Sequence, residues 1–263
     1  MVSSMETDLA TLNDYFNANL LTLNLAKTKY MIFHSSHKVV PLHDHPMLGC
    51  HVVEKTNTFK YLGIHLDSTL SLTYHIKHIE KKVAPLCGLM CRVRSFVPRH
   101  VLIKFYFAFI HSQLNYLVST WGFACSTFLS KLRALQNRCL KTIYNKPLLY
   151  STLSLYSIQS HNILPLEYLR DLQTLLYVHD LHYNQSIHHN IYLQTVTHSY
   201  STRQRSHFRR IRASTNLGQR RITFIGPTKY NALPQNLKQI TNRNTFKLKL
   251  KQHFKQQLHV IFH

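Results

Sequence analysis

The sequence predicts an α+β fold that is mainly α: a small α/β element through about residue 70, then an antiparallel bundle of long helices, then a basic C-terminal extension. Three observations predict it. Short runs that read as strands, bounded by Pro and Gly, fall within the first 70 residues. Apolar residues then recur three and four apart over long stretches, the period of a helix with one buried face. Basic residues accumulate along the chain until no acid accompanies them.

Glu6 and Asp8 open a segment that places Leu9, Leu12, Phe16 and Leu20 on one helical face, with the acids early, where the helix dipole favours them. Lys29 to His34 (KYMIFH) and His51 to Glu54 (HVVE) read as short strands, separated by a loop marked by Pro41, Pro46 and Gly49. Thr58 to Leu66 gives a third strand region, bent at Gly63. From about Leu70 the period changes. Leu72, Ile76, Ile79, Val83, Leu86, Leu89, Val93 and Phe96 form a stripe suited to packing in a bundle, with a kink expected at Pro85. Pro98 marks the entry of a second, nearly all-apolar helix ending near Trp121. Lys104, His111, Ser112, Gln113 and Asn115 interrupt it, so it reads as a buried helix and not as a membrane span. A third runs from about Thr127 to Tyr144, with Leu129, Leu132, Leu135, Cys139 and Ile143 inward and Lys131 and Arg138 on its outer face. Short turns between these helices argue for antiparallel neighbours. Leu164 to His182 is a further helix and Thr245 to Leu258 a terminal one. Between them lies a Tyr-, His- and Arg-rich segment of weak periodicity.

A chain of 263 residues that is 44% hydrophobic can bury a substantial core. Its 32 Lys and Arg against ten acids give a formal charge of +22, which favours a polyanionic partner over a small neutral metabolite, with a membrane surface as the weaker alternative. The charge is asymmetric: residues 1–70 carry six acids and five bases, 71–180 four and thirteen, and 181–263 none and fourteen. Five cysteines without a C-x-x-C pair give no disulfide framework and fit a reducing, intracellular compartment, nuclear or cytoplasmic. The opening MVSSMETDLATL lacks a basic n-region followed by an apolar core, so no signal peptide is read. Twenty histidines raise a metal question, but Cys87 with Cys91 and His75 with His78 complete no finger spacing, and no metal is expected. No G-x-S-x-G and no P-loop is present.

The order LTLNLAKTKYMIF, a loop, FKYLGIHLD, and then helices containing W-G and L-x-x-L-Q-N resembles the C-terminal part of reverse transcriptases of non-LTR, LINE-like retrotransposons. Asn24, Lys27 and Thr28 match the family's N-x-x-K-T segment at the close of the palm. Phe59, Tyr61, Leu62 and Gly63 match its primer-grip hairpin. Trp121-Gly122 and Leu135-Gln136-Asn137 match the thumb, and Thr202-Arg203, Gly226-Pro227, Asn231, Leu233 and Pro234 the post-thumb segment, with Tyr230 where Trp is usual. The resemblance divides the chain into a palm end (1–70), a helical thumb (71–146) and a basic post-thumb extension (147–263). The full-length family enzyme would use Mg²⁺ held by an Asp pair and a third Asp that lie before the N-x-x-K-T segment, and this sequence contains no adjacent acidic pair. The resemblance therefore implies a truncated remnant without a catalytic residue of its own and without a cofactor, expected at most to bind RNA or an RNA–DNA duplex and no membrane. A host-adopted basic helical module that binds RNA or a partner protein is the alternative.

Lys27 resembles the palm lysine proposed to protonate the leaving pyrophosphate; isolated from metals and nucleotide, it is better described as an exposed helix-to-strand lysine. Nucleic-acid contacts are expected from Lys77, Lys81, Lys82, Arg92, Arg94, Lys131, Arg138 and Lys141 on the helical faces, and from Arg203, Arg205, Arg209, Arg210 and Arg212 in the run STRQRSHFRRIR. Phe208 is expected to stack on a base between these arginines, with a nuclear-import signal or a disordered tether as the other readings of the run.

Overall fold

The computed structural model describes residues 2–38, 45–49, 51–147, 149–151, 153–156, 163–183, 193–195 and 207–260. The fold is α+β and mainly α, and the chain divides into two compact units, Met1–His75 and Ile76–His263.

In the first unit, helix α1 spans Val2–Ala18. It begins before the acids, so Glu6 and Asp8 sit inside the helix and not at its opening. Six short strands follow: β1 (Lys29–Tyr30), β2 (Met47–Leu48), β3 (His51–Val52), β4 (Glu54–Lys55), β5 (Thr58–Tyr61) and β6 (Ile64–Asp67). They form three separate two-stranded pairs: β1 with β4 in parallel, and β2 with β3 and β5 with β6 antiparallel. The expected strand from Lys29 to His34 is thus only its first two residues, and HVVE is shared between two strands that pair with different partners. Tyr30, Leu48 and Val53 form the small core, flanked by Met5, Leu9, Leu23 and Ile32.

In the second unit, α2 (Thr73–Val93) runs through Pro85 without ending. Its buried apolar residues are Ile76, Ile79, Val83, Cys87 and Met90, a strict three-and-four spacing, and His75 is buried beside them. The expected stripe is corrected at two positions. Leu89 rotates off the face set by Ile76 and Val83 and is 40% exposed, and Phe96 lies beyond the end of the helix at Val93 and is 85% exposed, whereas Leu86 at the edge of the face is half-buried. The second bundle helix is α3 (Arg99–Phe105) continued by a π-helical stretch (Tyr106–His111) and by α4 (Ser112–Asn115). It does not reach Trp121 unbroken: Leu117 takes a left-handed conformation and a separate turn, α5, covers Val118–Trp121. Helix α6 spans Ser126–Ile143. Arg99 stacks over Tyr144 while Tyr106 meets Gln136, so α3 runs antiparallel to α6. Cys87 meets the Leu135 carbonyl and Cys91 meets Thr142, so α2 runs parallel to α6. The three form an up-down-up bundle.

Beyond a short turn α7 (Leu153–Tyr156), α8 (Leu166–Tyr183) packs on α4, α5 and α6, and also on α10 (Ile222–Asn231) and α12 (Arg243–Val260); α9 (Asn216–Gln219) and α11 (Gln235–Lys238) connect them. Leu172, Leu175, Leu176 and Val178 of α8 join Tyr230, Leu233, Leu237, Phe246, Leu250 and Phe254 in one core. Among the described residues no helix is long and apolar enough to cross a membrane.

Candidate nucleic-acid interface

The residues that carry the sequence motifs prove to be the joints of the fold. Asn24 caps the 3₁₀ turn Leu25–Lys27: its Oδ1 accepts from the Lys27 N–H at 3.1 Å, and the Thr28 hydroxyl donates to its carbonyl at 2.9 Å. Asn24 and Thr28 thus shape the turn, whereas Lys27 is exposed on it. Leu62 and Gly63 form the two-residue tip of the β5–β6 hairpin, with φ of 45° and 83°. Positive φ at both positions is what a type I′ turn needs; glycine adopts it freely, whereas leucine does so at a cost of about 1 kcal/mol. Phe59, Tyr61 and Leu62 are exposed, at 39%, 59% and 70%.

Gln136, fully buried, bridges three elements. Its Nε2 donates to the Tyr106 hydroxyl at 3.0 Å and to the Leu164 carbonyl at 2.9 Å, and its Oε1 accepts from the Leu166 N–H at 3.0 Å. It takes the inward place expected of Leu135, which is only half-buried. The Asn137 side chain accepts from the Tyr156 hydroxyl at 2.7 Å. Trp121 is buried, its indole N–H donating to the Tyr116 carbonyl at 2.8 Å. A Cβ on Gly122 would collide first with the Val118 carbonyl at the start of α5 and would also sit 2.9 Å from Arg170 Cγ of α8, so the tight turn after Trp121 requires glycine. On α10, a Cβ on Gly226 would lie 2.7 Å from Val178 Cγ2 of α8.

Asn231 joins α10 to the arginine segment. Its Nδ2 donates to the Phe208 carbonyl at 2.8 Å and its Oδ1 accepts from the Phe208 N–H at 2.9 Å. The Arg209 N–H donates to the Gln194 carbonyl at 2.7 Å, and Thr195 and Phe208 form an antiparallel bridge. The Phe208 ring is 3% exposed, packed on His182 and Tyr230 at 5.1 and 5.0 Å between centroids. The expected base stacking on Phe208 is therefore corrected: its ring is spent in the core. Within the run, Phe208 and Arg209 are thus held by backbone hydrogen bonds. Arg209, Arg210 and Arg212 are exposed, and Arg203 and Arg205 lie outside the described residues.

The charge asymmetry resolves onto the two units. Residues 1–75 hold five bases and six acids, and residues 76–263 hold 27 bases and four acids. Three of those four acids lie on α8 and are already engaged: Glu167 with Arg133, Asp171 with both Arg170 and Lys229 at 2.8 and 2.7 Å, and Asp180 with Arg243 at 2.8 Å. The acids thus fasten α6, α10 and α12 to α8. Lys77, Lys81 and Arg92 share a face of α2 opposite its buried stripe, Lys131 and Arg138 share one on α6, and all five are exposed together with Lys82 and Arg94; Lys141 is half-buried.

Asp67 went without a role in the motif FKYLGIHLD, yet it organises the entry to α2. Its carboxylate accepts from the N–H groups of Ser71 and Leu72 at 2.8 and 2.7 Å, and from the Thr69 and Ser71 hydroxyls at 2.7 and 3.2 Å. Burial pushes its pKa up, but the hydrogen bonds outweigh burial and hold it below the ordinary value. The sequence signal was an Asp followed by hydroxyl residues just ahead of a helical stripe.

The second unit is thus mainly helical and strongly electropositive, with three of its four acids held in ion pairs. Among known proteins, the chain is similar to the RNA-directed DNA polymerase from mobile element jockey of Drosophila funebris, at 27% identity over 100 residues. The match covers 36% of this chain and spans 11% of that relative's length. This supports a reverse-transcriptase relationship for the chain. No family model and no solved structure matches it.

Proposed function

We propose that these residues are the palm end, thumb and post-thumb extension of a LINE-like reverse transcriptase, and that by themselves they bind RNA or an RNA–DNA duplex without polymerising. The observation that carries this is the 27 bases against four acids in the second unit, three of the acids already paired. Phosphates are the counter-charge that such a surface lacks, supplied in a sequence-independent way. Lys77, Lys81, Lys82, Arg92, Arg94, Lys131, Arg138 and Lys141 are the helical contacts, and the arginine run from Arg203 to Arg212 adds to them. In the first unit the exposed Phe59, Tyr61 and Leu62 at the Gly63 turn are the primer-grip-like contact.

Mg²⁺ chemistry does not fit these residues. Among the described residues no three His, Cys, Asp or Glu side chains stand close enough together to hold a cation, and Glu6 and Asp8 lie along α1. The test pairs retention with incorporation. The purified chain is expected to retard an RNA–DNA primer–template in a gel and to add no nucleotide in Mg²⁺ or Mn²⁺. Template-dependent incorporation that a substitution in this chain abolishes would overturn the reading, as would a failure to retard the duplex.

A further inference from the structure

A concavity of about 560 Å³ lies beside the arginine segment anchored at Phe208 and Arg209. Arg209, Arg210 and Arg212 line it together with Leu193, Gln194 and Ile211. Resting on the nucleic-acid reading above, we propose that this cleft holds a single, unpaired nucleic-acid strand, and that Asn231 positions its arginines.

The backbone that leads into the arginines is anchored at Phe208 and Arg209 without any ligand. Asn231 grips Phe208 from both sides at 2.8 and 2.9 Å, the Phe208 ring is buried, and the next N–H, that of Arg209, is tied to Gln194 at 2.7 Å. A preorganised segment spares the ordering cost that a loose basic tail would meet on binding. No acid lies in residues 181–263, and Asp171 and Asp180 of α8 are engaged by Arg170, Lys229 and Arg243, so the guanidinium groups keep their charge for a ligand.

Shape selects the strand. A duplex offers its phosphates on a convex surface with the bases stacked inside, and a concavity of this size admits only its edge. An unpaired strand lays its phosphates against arginine and its base faces against guanidinium planes or apolar side chains. Ile211, 57% exposed, and the half-buried Leu193 supply the apolar surface that the buried Phe208 cannot.

Fluorescence anisotropy of the whole chain with labelled oligouridylate RNA, oligothymidylate DNA and an RNA–DNA duplex of equal length tests the proposal. Replacing Arg209, Arg210 and Arg212 together by Ala is expected to weaken both single strands by about tenfold or more and the duplex by less than about threefold, with helical content unchanged. Asn231→Leu, close to Asn in size, removes both contacts to Phe208 without adding a charge. It is expected to reproduce the strand-selective loss in smaller size and to flatten the salt dependence of strand binding, a change that simple destabilisation would not produce. Duplex and strands weakened equally by the triple variant, or strands left unaffected, would overturn the cleft alone. A wild-type chain that holds none of the three would overturn the cleft and the functional reading together.

Discussion

Replacing Gln136 by Leu removes one amide and strands three partners. The side chain is fully buried, and its bonds to the Tyr106 hydroxyl, the Leu164 carbonyl and the Leu166 N–H are 3.0, 2.9 and 3.0 Å long. A buried polar group left without a partner costs about 1–3 kcal/mol. The Tyr106 oxygen loses a donor and its hydroxyl can turn toward another partner, but the Leu164 carbonyl and the Leu166 N–H are fixed where the chain enters α8, at residues only 2% exposed. Two such groups set the expected loss at about 3–5 kcal/mol, a large share of the roughly 5–15 kcal/mol that holds a domain folded. Tyr106→Phe removes only one hydroxyl from the same network and should cost about 1 kcal/mol. Urea unfolding followed by far-ultraviolet circular dichroism measures both. The Gln136→Leu midpoint should fall several times further than the Tyr106→Phe midpoint, with the slope unchanged. Equal and small losses would refute the argument that Gln136 is the joint between the bundle and α8.

His111 is held neutral, its pKa lowered to about 4 by burial and by the nearby Lys251. The unfolded chain binds that proton more readily, so stability is full above the ordinary histidine value near 6.5 and is lost as pH falls from there toward 4. His111→Phe should flatten the melting-temperature profile over that window. Asp67 has its pKa lowered in the fold, so its contribution is present above the ordinary carboxylate value and is lost as pH falls through the lower, folded-state pKa. Asp67→Ala should cost about 1–2 kcal/mol at neutral pH in a denaturant titration, the loss of a cap that serves two N–H groups. Gly122→Ala forces a methyl against the Val118 carbonyl and Arg170 and should cost about 1–3 kcal/mol, visible as a lowered thermal midpoint.

Much of the helical architecture was legible because burial follows the 3.6-residue period. Helices α6, α8 and α12 begin and end within two residues of the expected positions, and the start of α2 buries Ile76, Ile79 and Val83 as read. The same period, followed too loosely, misplaced Leu89, because a repeated spacing of three drifts off the face, and Phe96, because the helix ends three residues before it. The π-helical stretch and the left-handed Leu117 left no signal, since neither is marked by Gly or Pro. The joints were illegible for another reason. Gln136 reaches a carbonyl 28 residues away and Asn231 a backbone 23 residues away, and a polar residue on an apolar face does not announce its distant partner. Phe208 misled because an aromatic residue among arginines looks the same whether it faces a base or a core. In the candidate interface, the basic residues were read directly from charge, but only the ion pairs on α8 separate those that fasten helices from those that remain exposed.

The salt dependence of affinity for an RNA–DNA duplex tests the central claim most directly. If the second unit neutralises about six phosphates, the association constant should fall by about three decades between 50 and 200 mM salt, as condensed counterions lose their drive to leave. An affinity indifferent to salt over that range would contradict the account, because the exposed bases would then be a solvated surface and not an interface.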